Sequence, residues 1–394
     1  MFSEIESTAE QNTARVLASF RTHRVSEALF AGSTGYGYGD RGRDTLDAVF
    51  ADVFGAQDAL VRIGFVSGTH AIACALGAAL KPGETLLSCC GTPYDTLHGV
   101  IGITGGYPGS LKSRGIDYAQ AELITDGRPD EDAIAIALKG NTIGAAFIQR
   151  SRGYSQRPAL SCADIGGLCT LIKTLRPDVH IVVDNCYGEF VETREPNHCG
   201  ADLAAGSLIK NPGGGLALTG GYVAGKRELV DAASYMLTAP GIGRECGATL
   251  GQLRSLYQGL FTAPHTVAQA LKTAVFCAAM LEQAGYETSP RSIERRADII
   301  QSVSFPSPGQ LLGFVRGIQS GAPVDSFATP EPWDMPGYDC PVVMAAGAFV
   351  QGASIELSCD APMREPYTAY LQGGLTYEAG KLGVMLGVQA LLEP

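Results

Sequence analysis

The chain has 394 residues, 45% of them apolar, with 29 Lys plus Arg against 40 Asp plus Glu and a formal net charge of −11. That length suits two α/β units rather than one small core, and an acidic balance without a basic run argues against a nucleic-acid partner. No apolar run reaches the roughly 18 residues of a membrane span, and the acidic start Met1-Phe2-Ser3-Glu4 lacks the order of a signal peptide, so a cytoplasmic location is expected.

In chain order, Thr8 to Leu29 reads as an amphipathic helix. The glycine-rich stretch around Gly35-Tyr36-Gly37-Tyr38-Gly39 interrupts the pattern, which resumes at Arg43. A strand from about Leu60 leads into Ser67-Gly68-Thr69, a helix follows over Ala71 to Leu80, and Thr85-Leu86-Leu87-Ser88 opens the next strand. This is a strand–turn–helix–strand unit of the βαβ kind. Short apolar runs at Ile143 to Gln149 and His180 to Val183 suit buried strands, with a helix between them near Ile165 to Leu175. Leu203 to Ile209 and Gly221 to Ala224 add two strands, and Val267 to Ala284 reads as a bridging helix. Apolar stretches at Ile299–Phe305, Leu311–Ile318 and Val342–Leu357 precede a last helix near Tyr377 to Leu392.

The division expected is an N-terminal helical arm (1–60), a large cofactor-binding domain (61–265) and a smaller C-terminal domain (266–394). Eleven cysteines without any Cys-x-x-Cys fit reduced thiols. The adjacent Cys89 and Cys90 are read as structural, and no metal site is expected.

One constellation carries chemistry, and it matches what pyridoxal 5′-phosphate (PLP) requires: an amine to attach it, an acid for its ring nitrogen, donors for its phosphate and an aromatic cover. Lys210 stands between an apolar strand and the turn Gly213-Gly214-Gly215, where burial is expected to lower its pKa and free the amine. Asp184 ends a buried strand 26 residues earlier, at the side of an α/β sheet where ligands gather. Gly68 and Thr69 open a helix whose first amides suit an anion. Ser207 can add a hydroxyl, and Tyr94 in Pro93-Tyr94-Asp95-Thr96 is placed to stack on the ring. His70 fits a capping or packing role as well as a catalytic one.

Longer strings extend the pattern. They include Gln149-Arg150-Ser151-Arg152-Gly153-Tyr154, Asp184-Asn185-Cys186-Tyr187-Gly188-Glu189-Phe190, Met335-Pro336-Gly337-Tyr338 and Gln372-Gly373-Gly374-Leu375-Thr376-Tyr377-Glu378. With them the chain resembles the cystathionine/methionine lyase group, most closely the methionine gamma-lyase family, whose members include aluminium-resistance proteins. The resemblance implies the fold-type I PLP-dependent transferase architecture, an α/β fold with a large, mainly parallel-sheet domain and a smaller α+β C-terminal domain. It implies PLP on Lys210, Asp184 at the pyridine nitrogen, Tyr94 over the ring, and Gly68, Thr69 and Ser207 at the phosphate. It implies carbon–sulfur bond cleavage in a sulfur amino acid and a homodimer or homotetramer with shared active sites. Tyr38 and Arg41 are favoured as the residues a neighbouring subunit lends, with Tyr36 and Arg43 in the same segment. Arg364 is the candidate for the substrate carboxylate, with Arg150 and Arg152 open beside it. Elimination at the β- or the γ-carbon, replacement, and cofactor binding without turnover all stay open at this stage.

Overall fold

The computed structural model describes residues 1–335, 338 and 340–392; Pro336 and Gly337 of the Met335-Pro336-Gly337-Tyr338 string lie outside the described residues. The large unit contains α1 (Phe2–Thr22), α2 (Arg41–Phe54), β1 (Asp58–Arg62), α3 (Gly68–Ala79), β2 (Thr85–Ser88), α4 (Asp95–Ile101) and β3 (Asp117–Gln120). It continues with α5 (Glu131–Ala137), β4 (Ile143–Gln149), α6 (Cys162–Leu175), β5 (His180–Asp184), β6 (Leu203–Ser207), β7 (Gly221–Gly225) and α7 (Arg227–Leu237). The long α8 (Leu253–Gln283) leads to β8 (Glu287–Ser289), β9 (Gln301–Ser304), α9 (Pro308–Ser320), β10 (Val342–Ala345), β11 (Leu357–Pro362), β12 (Thr368–Gly373) and α10 (Tyr377–Leu392).

The seven-stranded sheet runs β1-β7-β6-β5-β4-β2-β3. Only β7 is antiparallel to its neighbours, on both sides. Alternate residues of one strand enter opposite layers, as the period of two requires. Val182 packs with α3 and α7, whereas Ile181 and Val183 pack with α5 and α6. Both faces are covered, which is why these strands read as continuous apolar runs. The second sheet, β10-β11-β12-β9-β8, is antiparallel throughout and shares a core with α9, α10 and the end of α8.

Several local expectations are corrected. The first helix ends at Thr22 because Arg24 takes a left-handed backbone (φ 52°), and only a short 3-10 turn at Glu27–Phe30 follows. β1 and β2 are parallel but not adjacent: β1 sits at one edge, with four strands between it and β2, so the unit is not a compact βαβ. The bridging helix begins at Leu253 rather than Val267 and runs through Pro264, so the 265/266 position falls inside α8. The run Leu311–Ile318 lies in α9, where Ser307 caps the N-terminus by accepting the Gln310 amide. In the run from Val342 only four residues form a strand, and β11 continues past Leu357 to Pro362.

Candidate functional site

The strands β2, β4, β5 and β6 are parallel, so Ser88, Gln149, Asp184 and Ser207 all stand at the same, carboxyl-terminal edge of the sheet. The turn after β1 delivers Gly68 to that edge as well. A Cβ on Gly68 would lie 3.3 Å from both Cys186 Sγ and Ser207 Cβ, so this glycine leaves room where the strand ends and α3 meet. Ser67 caps α3 by accepting the His70 amide at 3.1 Å, and the amides of Gly68 and Thr69 belong to a helical first turn with no intrahelical carbonyl to serve. Thr69 Oγ1 is 2.8 Å from Thr96 Oγ1, tying the cup to the start of α4. His70 accepts the Val66 amide on Nδ1 and packs edge-on to Phe65, a capping and packing role.

Lys210 follows β6, and Gly213 after it allows a very close backbone approach: a Cβ there would sit 1.8 Å from Leu208 O. Gly213 also meets Gly259 of α8, so the turn is clamped between sheet and helix. The Lys210 ammonium lies 3.9 Å from the centre of the Tyr187 ring. Burial works against its charge, but the Cys186 thiol, the Tyr187 phenol and the Asp184 carboxylate outweigh burial and raise the pKa above the ordinary lysine range. The lowered pKa expected from burial alone is therefore corrected: the neighbouring strand end sets a carboxylate, a thiol and a phenol around the amine that the apolar pattern does not show. Asp184 is buried and accepts the Cys186 amide at 3.0 Å. Burial pushes its carboxyl up, and Lys210 pulls it back.

Tyr94 is anchored through its backbone amide, which donates to Gln149 Oε1 at 2.7 Å. Its hydroxyl lies 2.5 Å from the Tyr338 hydroxyl, and its ring meets Tyr154 edge-on at 5.6 Å. Burial raises Tyr94 and Tyr154 well above the usual phenol range and raises Tyr338, so all three stand as neutral phenols at ordinary pH. Tyr187, Tyr154, Tyr338, Gln149 and Asp360 were not assigned roles from sequence. Gln149 was the one within reach, since it ends the strand beside Asp184.

The arginines fall into buried and exposed groups. Arg150 is fully buried and engaged with Asn185 (2.9 Å) and Glu192 (2.7 Å); Arg152 donates to Ser302 (2.7 Å) and Ser289 (3.0 Å). Both tie elements together. Arg364 lies in the exposed turn between β11 and β12; burial raises the Tyr370 phenol to about 12, and the charges of Arg152 and Arg364 oppose that rise. Arg43 is buried and donates to the Gly37 and Gly247 carbonyls, whereas Arg41 is exposed. Tyr36 and Tyr38 stack on one another at 5.5 Å with most of their surface exposed. This segment packs on residues 247–249, and among the described residues none of its hydrogen bonds or ring contacts involves Lys210, Asp184 or Ser207.

Below the site, Glu189 is fully buried, accepts the Tyr222 hydroxyl at 2.9 Å and leaves Oε2 without a partner among the described residues. Burial, reinforced by Glu195, raises its carboxyl to about 8. The folded pKa lies above the unfolded one, so its stabilising contribution is present at low pH and lost as pH rises through about 8. Glu189→Gln, which fixes the neutral form, should leave the thermal midpoint almost unchanged at pH 5. Near pH 9 it should add roughly 2–5 kcal/mol. Calorimetry at the two pH values checks this; a gain that is the same at both would show that Glu189 is ionised in the fold.

Among the described residues no helix is long and apolar enough to cross a membrane, and no cluster of three metal-ligating side chains occurs. The methionine gamma-lyase family pattern matches residues 1–392. The Bacillus subtilis protein YnbB is 51% identical over 393 residues, covering 99% of this chain and 93% of that protein. The crystal structure of a carbon-sulfur lyase involved in aluminum resistance from Clostridium novyi is 53% identical. It superimposes with a TM-score of 0.94 over 98% of this chain and 91% of that one. The pyridoxal-5′-phosphate dependent protein YhfS from Escherichia coli is 18% identical with a TM-score of 0.66 over 98% of this chain and 96% of that one, a likeness of fold. A sheet edge built this way, and a family pattern spanning nearly every residue, lead to one statement: the chain belongs to the methionine gamma-lyase family.

Proposed function

We propose that this chain is a PLP-dependent carbon–sulfur lyase that releases a thiol from a sulfur amino acid, leaving an oxoacid and ammonia. The observation that supports it best is the convergence of Lys210, Asp184 and the Gly68–Ser207 cradle at one edge of the sheet. The residues fit the cofactor. Lys210 would supply the amine, Asp184 would serve the ring nitrogen, Tyr94 would cover the ring, and Gly68, Thr69 and Ser207 would hold the phosphate. Tyr38 and Arg41, exposed and stacked or free to reach outward, are read as lent to a neighbouring subunit, and Arg364 as the fork for the substrate carboxylate.

When bound, PLP supplies an electron sink that acidifies the α-proton of an attached amino acid. The protein's part is to place and move protons. In its neutral form, Lys210 Nζ, held over Tyr187, would take the α-proton. The neutral Tyr94 hydroxyl, backed by Tyr338 at 2.5 Å, donates to the departing sulfur. Asp184 would supply the negative charge that keeps the ring nitrogen protonated.

The test is an absorbance spectrum of the purified protein with PLP, before and after L-methionine, L-cystathionine or L-homocysteine. A visible band that shifts, with oxoacid released, is the expected result. A band that no sulfur amino acid disturbs would remove the lyase activity; no band at all would remove Lys210 as the attachment point.

A further inference from the structure

Asp360 is a buried acid that the assignments above leave unused. It sits on β11 between Cys359 and Ala361, whose side chains enter the core of the small unit, so the period of two turns Asp360 to the other face. It is only 6% exposed. Its Oδ2 accepts both the Tyr154 hydroxyl at 3.1 Å and Gln372 Nε2 at 2.9 Å. Its Oδ1 is buried and has no hydrogen-bond partner among the described residues. A carboxylate oxygen left bare in the interior is costly, and it leaves an acceptor open to a donor from outside the chain.

The surroundings identify the visitor's charge. Tyr154 links Asp360 to the Tyr94–Tyr338 pair, and the charge of Asp360 is felt by Tyr94, Tyr154, Tyr187 and Tyr338. The cation acting on Asp360 is Lys210, which the proposed chemistry commits to the cofactor and to Asp184. A buried carboxylate among neutral phenols repels an anionic substrate tail, gains little from a methyl group, and rewards a donor that brings positive charge.

We propose that Asp360 is a specificity-determining residue: its open oxygen accepts a hydrogen bond from a protonated amine on the far side of the substrate's sulfur. This rests on the lyase reading above and adds the class of substrate, a thioether amino acid with an aminoalkyl group on sulfur.

Two probes of nearly equal shape isolate the charge: S-(2-aminoethyl)-L-cysteine and S-propyl-L-cysteine. Their dissociation constants are read from the shift of the cofactor band and, independently of turnover, by calorimetry on the PLP-loaded protein. The wild type is expected to bind the aminoethyl compound at least about tenfold more tightly, and Asp360→Asn to erase that preference while the band stays intact. Equal binding by the wild type overturns the proposal without any variant, so it does not depend on Asp360→Asn folding. A preference that survives in Asp360→Asn overturns it as well. Absence of a cofactor band in the wild type would sink the lyase reading and this proposal together, whereas an intact band with equal binding sinks this proposal alone.

Discussion

Lys210→Ala is expected to abolish the visible band of the lysine-bound cofactor and to lower lyase turnover by more than ~10³-fold, with little change in melting temperature. On the proposed reading two roles are lost at once, because the amine that attaches the cofactor is also the base for the α-proton. Lys173 and Lys226 are held elsewhere, both pairing with Asp202, at 2.7 and 2.9 Å. The fold should tolerate the change, since alanine removes a buried ammonium and the Asp184 carboxyl, already pushed up by burial, can take a proton instead. Spectra of the PLP-treated variant, single-turnover assays and a thermal melt separate the effects. Turnover within tenfold of wild type would show that the catalytic amine lies elsewhere.

Asp184→Asn is expected to keep the cofactor attached yet slow turnover by roughly 10²–10⁴-fold. Asparagine preserves the shape and can still accept the Cys186 amide, so the β5 end should hold its position. What goes is the negative charge that keeps a ring nitrogen protonated, and with it most of the ring's capacity to accept electrons. The signature is a normal dissociation constant for the amino acid with a depressed kcat. A rate within threefold of wild type would mean that Asp184 does not face the ring.

The parts of this site that could be read in the sequence are those where one residue type ends one buried strand. Asp184 after His180–Val183, Lys210 after Leu203–Ser207, and Gly68 before α3 stand out because an acid, a base or a small residue breaks an apolar run. The edge position of β1 could not be read, because local pattern gives a strand's existence and not its neighbour. The aromatic wall was equally hidden. Tyr94 and Tyr154 follow different strands of the large sheet, and Tyr338, 244 positions after Tyr94, reaches them from the C-terminal part of the chain. The sign of the Lys210 shift failed for the same reason: burial is visible in a run of apolar letters, but the thiol, phenol and carboxylate that outweigh it are brought in by the neighbouring strand and its turn. In the C-terminal part, β11 and β12 bring Asp360 and Gln372 together from beyond the apolar stretch that ends at Leu357, a pairing that no local pattern announces.

Tyr187 adopts a left-handed backbone, φ 71°, while holding its ring against Lys210 and its hydroxyl 3.0 Å from Ser354 Oγ. A tyrosine in that conformation is strained by about 1–3 kcal/mol. Glycine would relax the backbone but leave the amine without its platform, whereas any branched residue would keep bulk and worsen the strain. Folding and function therefore ask for different residues at the same position. Selection for stability alone would drift away from tyrosine here, and selection for activity alone would hold it, so this site records which of the two has governed a given lineage.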